Sequence, residues 1–394
     1  MESLSWQTRY VLLLWLSIVV KIPFDLSRFD ASSSATTTST MDRILAVGRA
    51  FLPSHDVGRE ASAFMLSQFL TRPDVKAVRL DAFVTWALDQ LPTAPASTED
   101  PGFQQSASEL AALHGTLQSL ALIFKHGGRD DTAAFAPRAL RKLLDGKMEA
   151  HPVPTVRRLA VKIVNRLGLV FLPVRIASWR YTRGARSLEE NLATAKTDHQ
   201  SHGASDADHR RREEEEEEED VAEIAEEVEE IIEFLLTALK DRETIVRWSA
   251  AKGVGRVTSR LPRDLADQVV GSVLESFSAF EGDGAWHGGC LTLAELGRRG
   301  LLLPERLPEV VPVVVRALVY EDRRGNYALG AHVRDAACYV CWSFARAYDP
   351  GAVRPHVRTI AGALLVTAVF DREVNCRRAA SAAFQENVGR QASE

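Results

Sequence analysis

A basic residue followed three positions later by a small residue recurs along the chain, and the spacing of this marker constrains the fold more than any other feature. The marker pairs are Arg79/Ala82, Arg157/Ala160, Arg247/Ala250, His287/Cys290, Arg334/Ala337 and Arg377/Ala380. Successive pairs lie 78, 90, 40, 47 and 43 residues apart. The first interval is nearly two periods, with His114 about midway, and the 90-residue interval contains a long polar segment. The spacing therefore predicts an array of structural units of about 40–47 residues each.

Units of this length, each made of two helices, are typical of HEAT and armadillo repeats. The small residue lets neighbouring helices approach closely, and we expect the arginine to lie at the seam between units, bonded to an acid or carbonyl of the next repeat. Asp241 and Asp371 each lie six residues before a marker arginine, where an aspartate can cap the second helix of the pair. One helix pair cannot bury its apolar face alone, so the units must stack. The sequence predicts an all-α, HEAT/armadillo-type α-solenoid of stacked helical pairs.

The helical pattern is clearest in residues 223–239, where the apolar side chains fall on one face of a 3.6-residue helix. These side chains are Ile224, Val228, Ile231, Leu235 and Leu239. Prolines that would break helices fall between the periodic stretches, at Pro262, Pro304, Pro308 and Pro350. No segment alternates with a period of two residues between hairpin turns, so we expect no sheet.

Polar stretches divide the chain into domains. Residues 31–40 form a Ser/Thr-rich connector and residues 91–102 a proline-rich loop, both within an N-terminal domain of helical repeats predicted at residues 1–183. Residues 184–222 are predicted to be a disordered acidic linker, because they cannot bury enough apolar area to offset the entropy of ordering. A second domain of helical repeats is predicted at residues 223–394.

The predicted linker ends in eight consecutive acids, residues 213–220. This run has three open interpretations: a solvating spacer, a docking tail for a basic protein surface, or a site for calcium or another metal, although unstructured acids offer no fixed ligand geometry. The net charge of the chain is −5, and without the run the remainder is only weakly basic. Such a balance does not indicate a nucleic-acid-binding surface.

An apolar run at residues 10–20 could form a core helix, a signal peptide or a membrane anchor. It spans about 11 residues, whereas a membrane span needs roughly 20. Glu2 precedes the run and Lys21 follows it, unlike the basic start and small-residue cleavage site of a signal peptide. We predict a core helix, with a signal peptide and a membrane anchor as weaker alternatives, and a cytoplasmic protein without membrane insertion.

No pattern of residues indicates catalysis or a cofactor, and we expect no catalytic, cofactor-binding or metal-binding residues. The four cysteines lie in apolar helical contexts and indicate buried thiols in a reducing compartment; they are Cys290, Cys338, Cys341 and Cys376. The Cys338/Cys341 pair has the CxxC spacing but no second ligand pair at zinc spacing. Gly253 and Gly255 resemble the opening of a dinucleotide fingerprint, yet Thr258 replaces the third glycine within a helical segment.

Five residues are candidates for contact with a partner protein. Trp248 and Trp286 adjoin marker residues, and we weigh a binding role against core packing, because aromatics beside arginine are favoured at binding hot spots. Arg323, Arg324 and Tyr327 lie in residues 320–332. This segment accounts for the extra length of the interval from His287 to Arg334, which is the longest interval that corresponds to a single repeat. Insertions into single repeats often lie on a functional face.

Long blocks of the sequence resemble the tubulin-folding cofactor D family. The blocks are residues 22–28, 71–76, 123–127, 179–184, 244–265, 285–303, 333–348 and 370–391. The resemblance extends across nearly the whole chain. Family members are far longer, so the chain resembles an internal portion of one, and its terminal helices would then expose apolar faces.

The resemblance implies a non-catalytic HEAT-repeat chaperone that captures β-tubulin after the cytosolic chaperonin. It implies assembly of the αβ-tubulin heterodimer with sister tubulin-folding cofactors and an Arf-like small GTPase, and activation of tubulin's GTPase within that complex. It also implies a microtubule-associated protein, with centrosomes and cell junctions as further locations. The family provides no short motif that assigns tubulin-contact residues to this chain.

Two other functions stay open. A general HEAT-repeat scaffold or transport adaptor would bind a different protein and would present an acid-rich face to basic signals. A GTPase activator in its own right would depend on a single arginine, with Arg323 or Arg324 the first candidates.

Overall fold

The computed structural model describes residues 5–30, 38–93, 106–174, 177–184 and 226–391. Residues 185–222 of the predicted acidic linker and most of both predicted loops lie outside these residues. The chain forms two compact units, unit 1 (Met1–Phe171) and unit 2 (Leu172–Glu394). Each is built from helix pairs, and we call the first helix of a pair its A helix and the second its B helix.

Unit 1 contains nine helices, counted within the described residues. They are α1 (Trp6–Val19), α2 (Thr40–Phe51), α3 (Gly58–Leu70), α4 (Pro73–Val75), α5 (Asp81–Asp89), α6 (Ala107–His126), α7 (Arg129–Ala133), α8 (Ala136–Asp145) and α9 (Pro154–Phe171). Short helical turns occur at Leu26–Phe29, Lys76–Leu80 and Met148–Ala150. Helices α1, α3, α6 and α9 pack side by side as a B row, and α2, α5 and α8 cover them as A helices.

Unit 2 repeats the arrangement. Its helices are α10 (Glu226–Ala238), α11 (Thr244–Thr258), α12 (Arg263–Glu275), α13 (Asp283–Arg298), α14 (Leu307–Leu318), α15 (Ala331–Ala347), α16 (Pro350–Val353), α17 (Val357–Phe370) and α18 (Val374–Gln391). Helices α11, α13, α15 and α18 form its B row, and α10, α12, α14 and α17 are their A helices. The predicted α-solenoid of stacked helical pairs is confirmed.

The described residues 177–184 belong to unit 2, whereas the sequence predicts an N-terminal domain that extends to residue 183. The predicted domain bounds stay a prediction. The backbone N–H of Tyr181 donates to the carbonyl of Gly300 at 2.9 Å, and the Tyr181 hydroxyl donates to the Asp349 carboxylate at 2.8 Å.

The spacing of the marker residues follows from the close contacts between neighbouring B helices. The small residue at the third position after the marker is fully buried in five of the six pairs, at Ala160, Ala250, Cys290, Ala337 and Ala380. Each lies in a B helix, where a larger side chain would push neighbouring helices apart.

The first marker pair was assigned wrongly. Arg79 lies in the helical turn that leads into the A helix α5, Ala82 is exposed, and Arg79 pairs with Asp42 of α2 at 2.9 Å. The B helix of that repeat is α6, which carries His114. The following residue, Gly115, packs so closely that a Cβ there would overlap the carbonyl oxygen of Leu52.

The marker arginines brace the turn between the two helices of their own repeat. Arg157, Arg247 and Arg377 each donate from Nη1 to the carbonyl oxygens six and five residues earlier, at 2.6–2.7 Å and 3.0–3.1 Å. Arg247 and Arg334 also bond the next repeat, Arg334 through the expected acid and Arg247 through a histidine. Arg247 donates from Nε to His287 at 2.9 Å, and Arg334 holds both carboxylate oxygens of Asp371 at 2.6 and 3.0 Å.

The two aspartates predicted as helix caps form their hydrogen bonds in the turn before the helix begins. Asp241 accepts from the N–H of Glu243 at 2.7 Å, and Asp371 accepts from the N–H of Glu373 at 2.8 Å. Their helices begin one residue later, at Thr244 and Val374. The aspartates therefore fix the turn that leads into the B helix and do not form the cap itself.

The expectation that the chain contains no sheet was wrong. Strands β1 (Asp322–Arg324) and β2 (Tyr327–Leu329) form an antiparallel hairpin between α14 and α15. Each strand is only three residues long, too short to show an alternating pattern in the sequence. The turn contains Gly325 at a φ of 61°, the positive φ that type II′ hairpin turns require at their first central position.

Candidate partner-binding surfaces

The first candidate surface is the tip of the β1–β2 hairpin. The Arg323 side chain is 82% exposed, the Arg324 side chain 53%, and Tyr327 62%. Arg324 lies opposite Tyr327 across the hairpin. The three hairpin residues predicted as partner contacts therefore share one exposed tip, where their role in binding stays a prediction.

The base of the hairpin is anchored in unit 2. The Tyr320 ring lies 4.9 Å from the Trp286 ring, and the Tyr320 carbonyl accepts from Nη1 of Arg334 at 3.0 Å. Gly330 closes the hairpin at a φ of 130°, and a Cβ there would lie 2.7 Å from the Tyr320 carbonyl oxygen. The tip is thus exposed on a rigid support, as precise recognition requires.

Ion pairs hold the two hairpin arginines to different degrees. Arg324 donates to Asp322 at 3.0 Å and lies 3.9 Å from Asp283 of α13. Arg323 lies 3.6 Å from Glu321, whose carboxylate is also bonded to Arg372 at 2.6 Å. Arg323 is consequently the more available of the two guanidinium groups.

The second candidate surface is an aromatic row formed by Trp248 on α11 and Tyr339 and Trp342 on α15. The rings of Trp248 and Tyr339 lie 5.9 Å apart, and those of Tyr339 and Trp342 are stacked at 6.0 Å. All three side chains are half-buried. They present flat, partly apolar surface at little cost in side-chain entropy, as binding hot spots do.

Cationic groups surround the aromatic row. Lys252 Nζ lies 5.3 Å from the centre of the Trp248 ring, and the Arg346 guanidinium lies 4.8 Å from that of Trp342. Arg298 donates to the Tyr339 hydroxyl at 3.0 Å. Cations over aromatic faces hold the rings in place and add positive charge to the surface.

Trp286 lies in the core, so the structure agrees with the core-packing interpretation of this residue. It is 7% exposed, packs against Phe277 and Tyr320, and donates from Nε1 to the Ser278 carbonyl at 3.2 Å. It supports the hairpin from below and is not available to a partner.

Tyr339 and Trp342 were not identified from the sequence. The only signal was their spacing of three residues, which places them on one face of a helix. That they meet Trp248 depends on the lateral stacking of B helices, because α13 separates α11 from α15 in the chain.

The cysteines show no sign of metal binding or reactivity. All four thiols are buried and free, and burial raises the pKa of Cys341 to about 12 and that of Cys376 to about 11. A thiol in this state is a poor nucleophile. Among the residues described, no cluster of His, Cys, Asp or Glu has the arrangement of a metal site, and no helix is long and apolar enough to cross a membrane.

The sequence matches two models of one protein family. Residues 155–393 match the model "Tubulin-specific chaperone D-like, ARM repeats", and residues 1–91 match "Tubulin-specific chaperone D-like, ARM repeat". Tubulin-specific chaperone D of Dictyostelium discoideum is 38% identical over 411 residues, covering 98% of this chain and 28% of that protein. Tubulin-folding cofactor D of Schizosaccharomyces pombe is 29% identical over 406 residues, covering 99% and 33%. The chain therefore spans about a third of the length of these relatives.

Two of the solved structures to which the chain is similar have TM-scores below 0.5. The karyopherin Kap121p, in complex with the C-terminus of the phosphatase Cdc14p, is 11% identical with a TM-score of 0.43, covering 98% of this chain and 38% of that one. A designed armadillo repeat protein is 12% identical with a TM-score of 0.34, covering 77% and 99%. The family matches cover most of the chain, and the chain belongs to the tubulin-specific chaperone D-like family.

Proposed function

We propose that the chain is a β-tubulin-binding portion of a tubulin-folding cofactor and acts as a scaffold in the assembly of the αβ-tubulin heterodimer. The observation that carries this proposal is the family match, which extends over residues 1–91 and 155–393. Both named relatives are tubulin chaperones or folding cofactors. The exposed hairpin tip and the aromatic row supply the kind of surface that such a scaffold needs.

Sister tubulin-folding cofactors and an Arf-like small GTPase are the further partners in this proposal, and activation of tubulin's GTPase is a property of the assembled complex. The chain itself contributes binding surface and no catalytic group. The proposed location is the cytoplasm, in association with microtubules.

The test measures capture of β-tubulin released from chaperonin by the immobilised chain. We expect β-tubulin to be retained and the Arf-like GTPase to increase retention. Trp248→Ala should weaken retention, whereas Phe280→Ala, at a fully exposed aromatic outside both candidate surfaces, should not. Failure to retain β-tubulin and the small GTPase, separately and together, would refute the proposal.

A second pair of variants tests the hairpin. Replacing Arg323 and Arg324 by glutamine should reduce retention of β-tubulin if the tip contacts it. The matched control replaces Arg358 and Arg378, two exposed arginines of α17 and α18, by glutamine and makes the same change in net charge. Equal retention by the two variants would exclude the tip as a contact surface.

A further inference from the structure

Unit 1 carries a cluster of positively charged side chains on three neighbouring B helices. We call it the basic patch, and its members are Arg59 on α3, Lys125 on α6, and Arg158, Lys162 and Arg166 on α9. These helices are adjacent in the B row of unit 1.

The members of the basic patch are close enough to perturb one another. Burial and the charges of Arg158, Arg166 and Lys125 lower the pKa of Lys162, and Glu60 alone opposes this. His114 lies on α6, where burial followed by the charges of Arg59 and Arg158 lowers its pKa to about 4. The histidine is therefore neutral at pH 7.

Three polar atoms of this region are buried without a hydrogen-bond partner among the described residues: Nε of Arg59, Nδ1 of His114 and Nε of Arg158. Leaving a buried donor unbonded costs on the order of 1–3 kcal/mol, and more for a charged group. Arg59 and Arg158 are themselves half-buried, so a partner that accepts hydrogen bonds from their guanidinium groups would meet side chains that are already partly desolvated.

Four other arginines of unit 1 show the contrast, because each has a carboxylate partner. Arg9 pairs with Asp56, Arg72 with Asp74, Arg79 with Asp42 and Arg138 with Asp89, at 2.7–2.9 Å. Within the described residues, no carboxylate forms an ion pair with Arg59, Lys125, Arg158 or Lys162. The basic patch thus concentrates cations, four of which form no ion pair with a carboxylate of the described residues.

We propose that the basic patch binds an acidic segment of a partner polypeptide, with Asp and Glu carboxylates accepting hydrogen bonds from Arg59 and Arg158. Carboxylates suit the site because a guanidinium group bonds them in bidentate geometry. A short acidic peptide also needs only local attraction. A long nucleic acid would in addition meet the repulsion of a chain whose net charge is −5. The proposal does not depend on tubulin being the partner.

The test measures binding of fluorescein-labelled decaglutamate to the full chain by fluorescence anisotropy, with decaglutamine as the neutral peptide. We expect decaglutamate alone to bind, more weakly as salt is added. Replacing Arg158 and Lys162 by glutamine should lower the affinity at least tenfold. The matched control, Arg358→Gln with Arg378→Gln, should leave it unchanged. Lys125→Gln, at an exposed position that cannot disturb folding, should lower it about threefold.

Three results would overturn the proposal. The first is that decaglutamate does not bind, or binds the patch variant and the control equally. The second is that an oligouridine RNA binds more tightly than decaglutamate with the same dependence on Arg158 and Lys162. The third is that decaglutamate binds only after the acids of residues 213–220 are changed to glutamine or asparagine, which would make that run the occupant.

Discussion

The seam between the third and fourth B helices of unit 2 depends on a buried ion pair, and removing Arg334 should destabilise it. The side chains of Arg334 and Asp371 are 10% and 4% exposed, and Arg334 bonds both carboxylate oxygens as well as the Tyr320 carbonyl. Arg334 thereby connects the base of the hairpin, its own helix α15 and the turn that leads into α18.

The expected loss follows from what Arg334→Ala leaves behind. Removing one partner of a buried pair costs about 3–5 kcal/mol, because the remaining charge stays buried without compensation. Asp371 retains its bond from the Glu373 N–H, so we expect about 3 kcal/mol. Arg334→Lys keeps the charge but loses the bidentate geometry, and should cost about 1–2 kcal/mol. The control is Arg372→Ala, whose pair with Glu321 is exposed and should contribute below about 1 kcal/mol.

Urea unfolding followed by far-UV circular dichroism measures these losses, and hydrogen exchange of α15 and α18 locates them. A double-mutant cycle with Asp371→Ala should give a coupling free energy of about 2 kcal/mol. The reasoning is refuted if Arg334→Ala and Arg372→Ala destabilise the chain equally, or if protection is lost uniformly instead of at the α15–α18 seam.

Three further predictions concern other features of the fold. The pKa of His114 is lowered to about 4 and that of His287 to about 3, each by burial first and then by neighbouring positive charge. Both are neutral when folded and become protonated on unfolding below pH 6.5, so stability should fall as the pH decreases from 6.5 towards these values. Between pH 7 and 5 the loss of stability should be about 2 kcal/mol for each histidine. In urea titrations at these pH values, His114→Gln should lose about half as much stability as the unsubstituted chain, because only His287 remains. Gly288→Ala should destabilise the chain by roughly 1–3 kcal/mol, because its Cβ would overlap the Leu239 carbonyl oxygen. Gly271→Ala, with nothing within 4 Å of its Cβ, should stabilise α12 by about 0.5–1 kcal/mol in the same assay. The buried cysteines should react with a thiol reagent only as fast as unit 2 opens, and faster labelling of native chain than of Arg334→Ala would contradict their burial.

The repeat architecture could be predicted because each marker has a physical task that the sequence must satisfy locally. An arginine that braces the turn five and six residues before it recurs at the same place in three of the repeats, at Arg157, Arg247 and Arg377. The same logic explains the mistake at Arg79. An arginine and an alanine three residues apart are common in any helix, and only burial of the small residue distinguishes a B helix from an A helix.

The sequence predicted the position of the insertion that forms the hairpin but not its conformation. Its position followed from a surplus of residues between two markers, which requires no knowledge of contacts. Its conformation depends on Gly325 and Gly330 at positive φ and on Tyr320 against Trp286. These are contacts between parts of the chain that no local pattern connects.

The candidate binding surfaces lie beyond sequence reasoning for a related reason. The basic patch and the aromatic row each combine side chains from different B helices, which stacking brings together across tens of residues of sequence. Trp248 of α11 and Tyr339 of α15 lie 5.9 Å apart, although α13 separates the two helices in the chain. In a solenoid the residues that hold the repeats recur with the period of the array, whereas the residues that bind a partner need not. The marker predicts the scaffold for this reason, and we propose that a partner binds where the chain departs from the repeat, such as at Trp248, the hairpin and the basic patch.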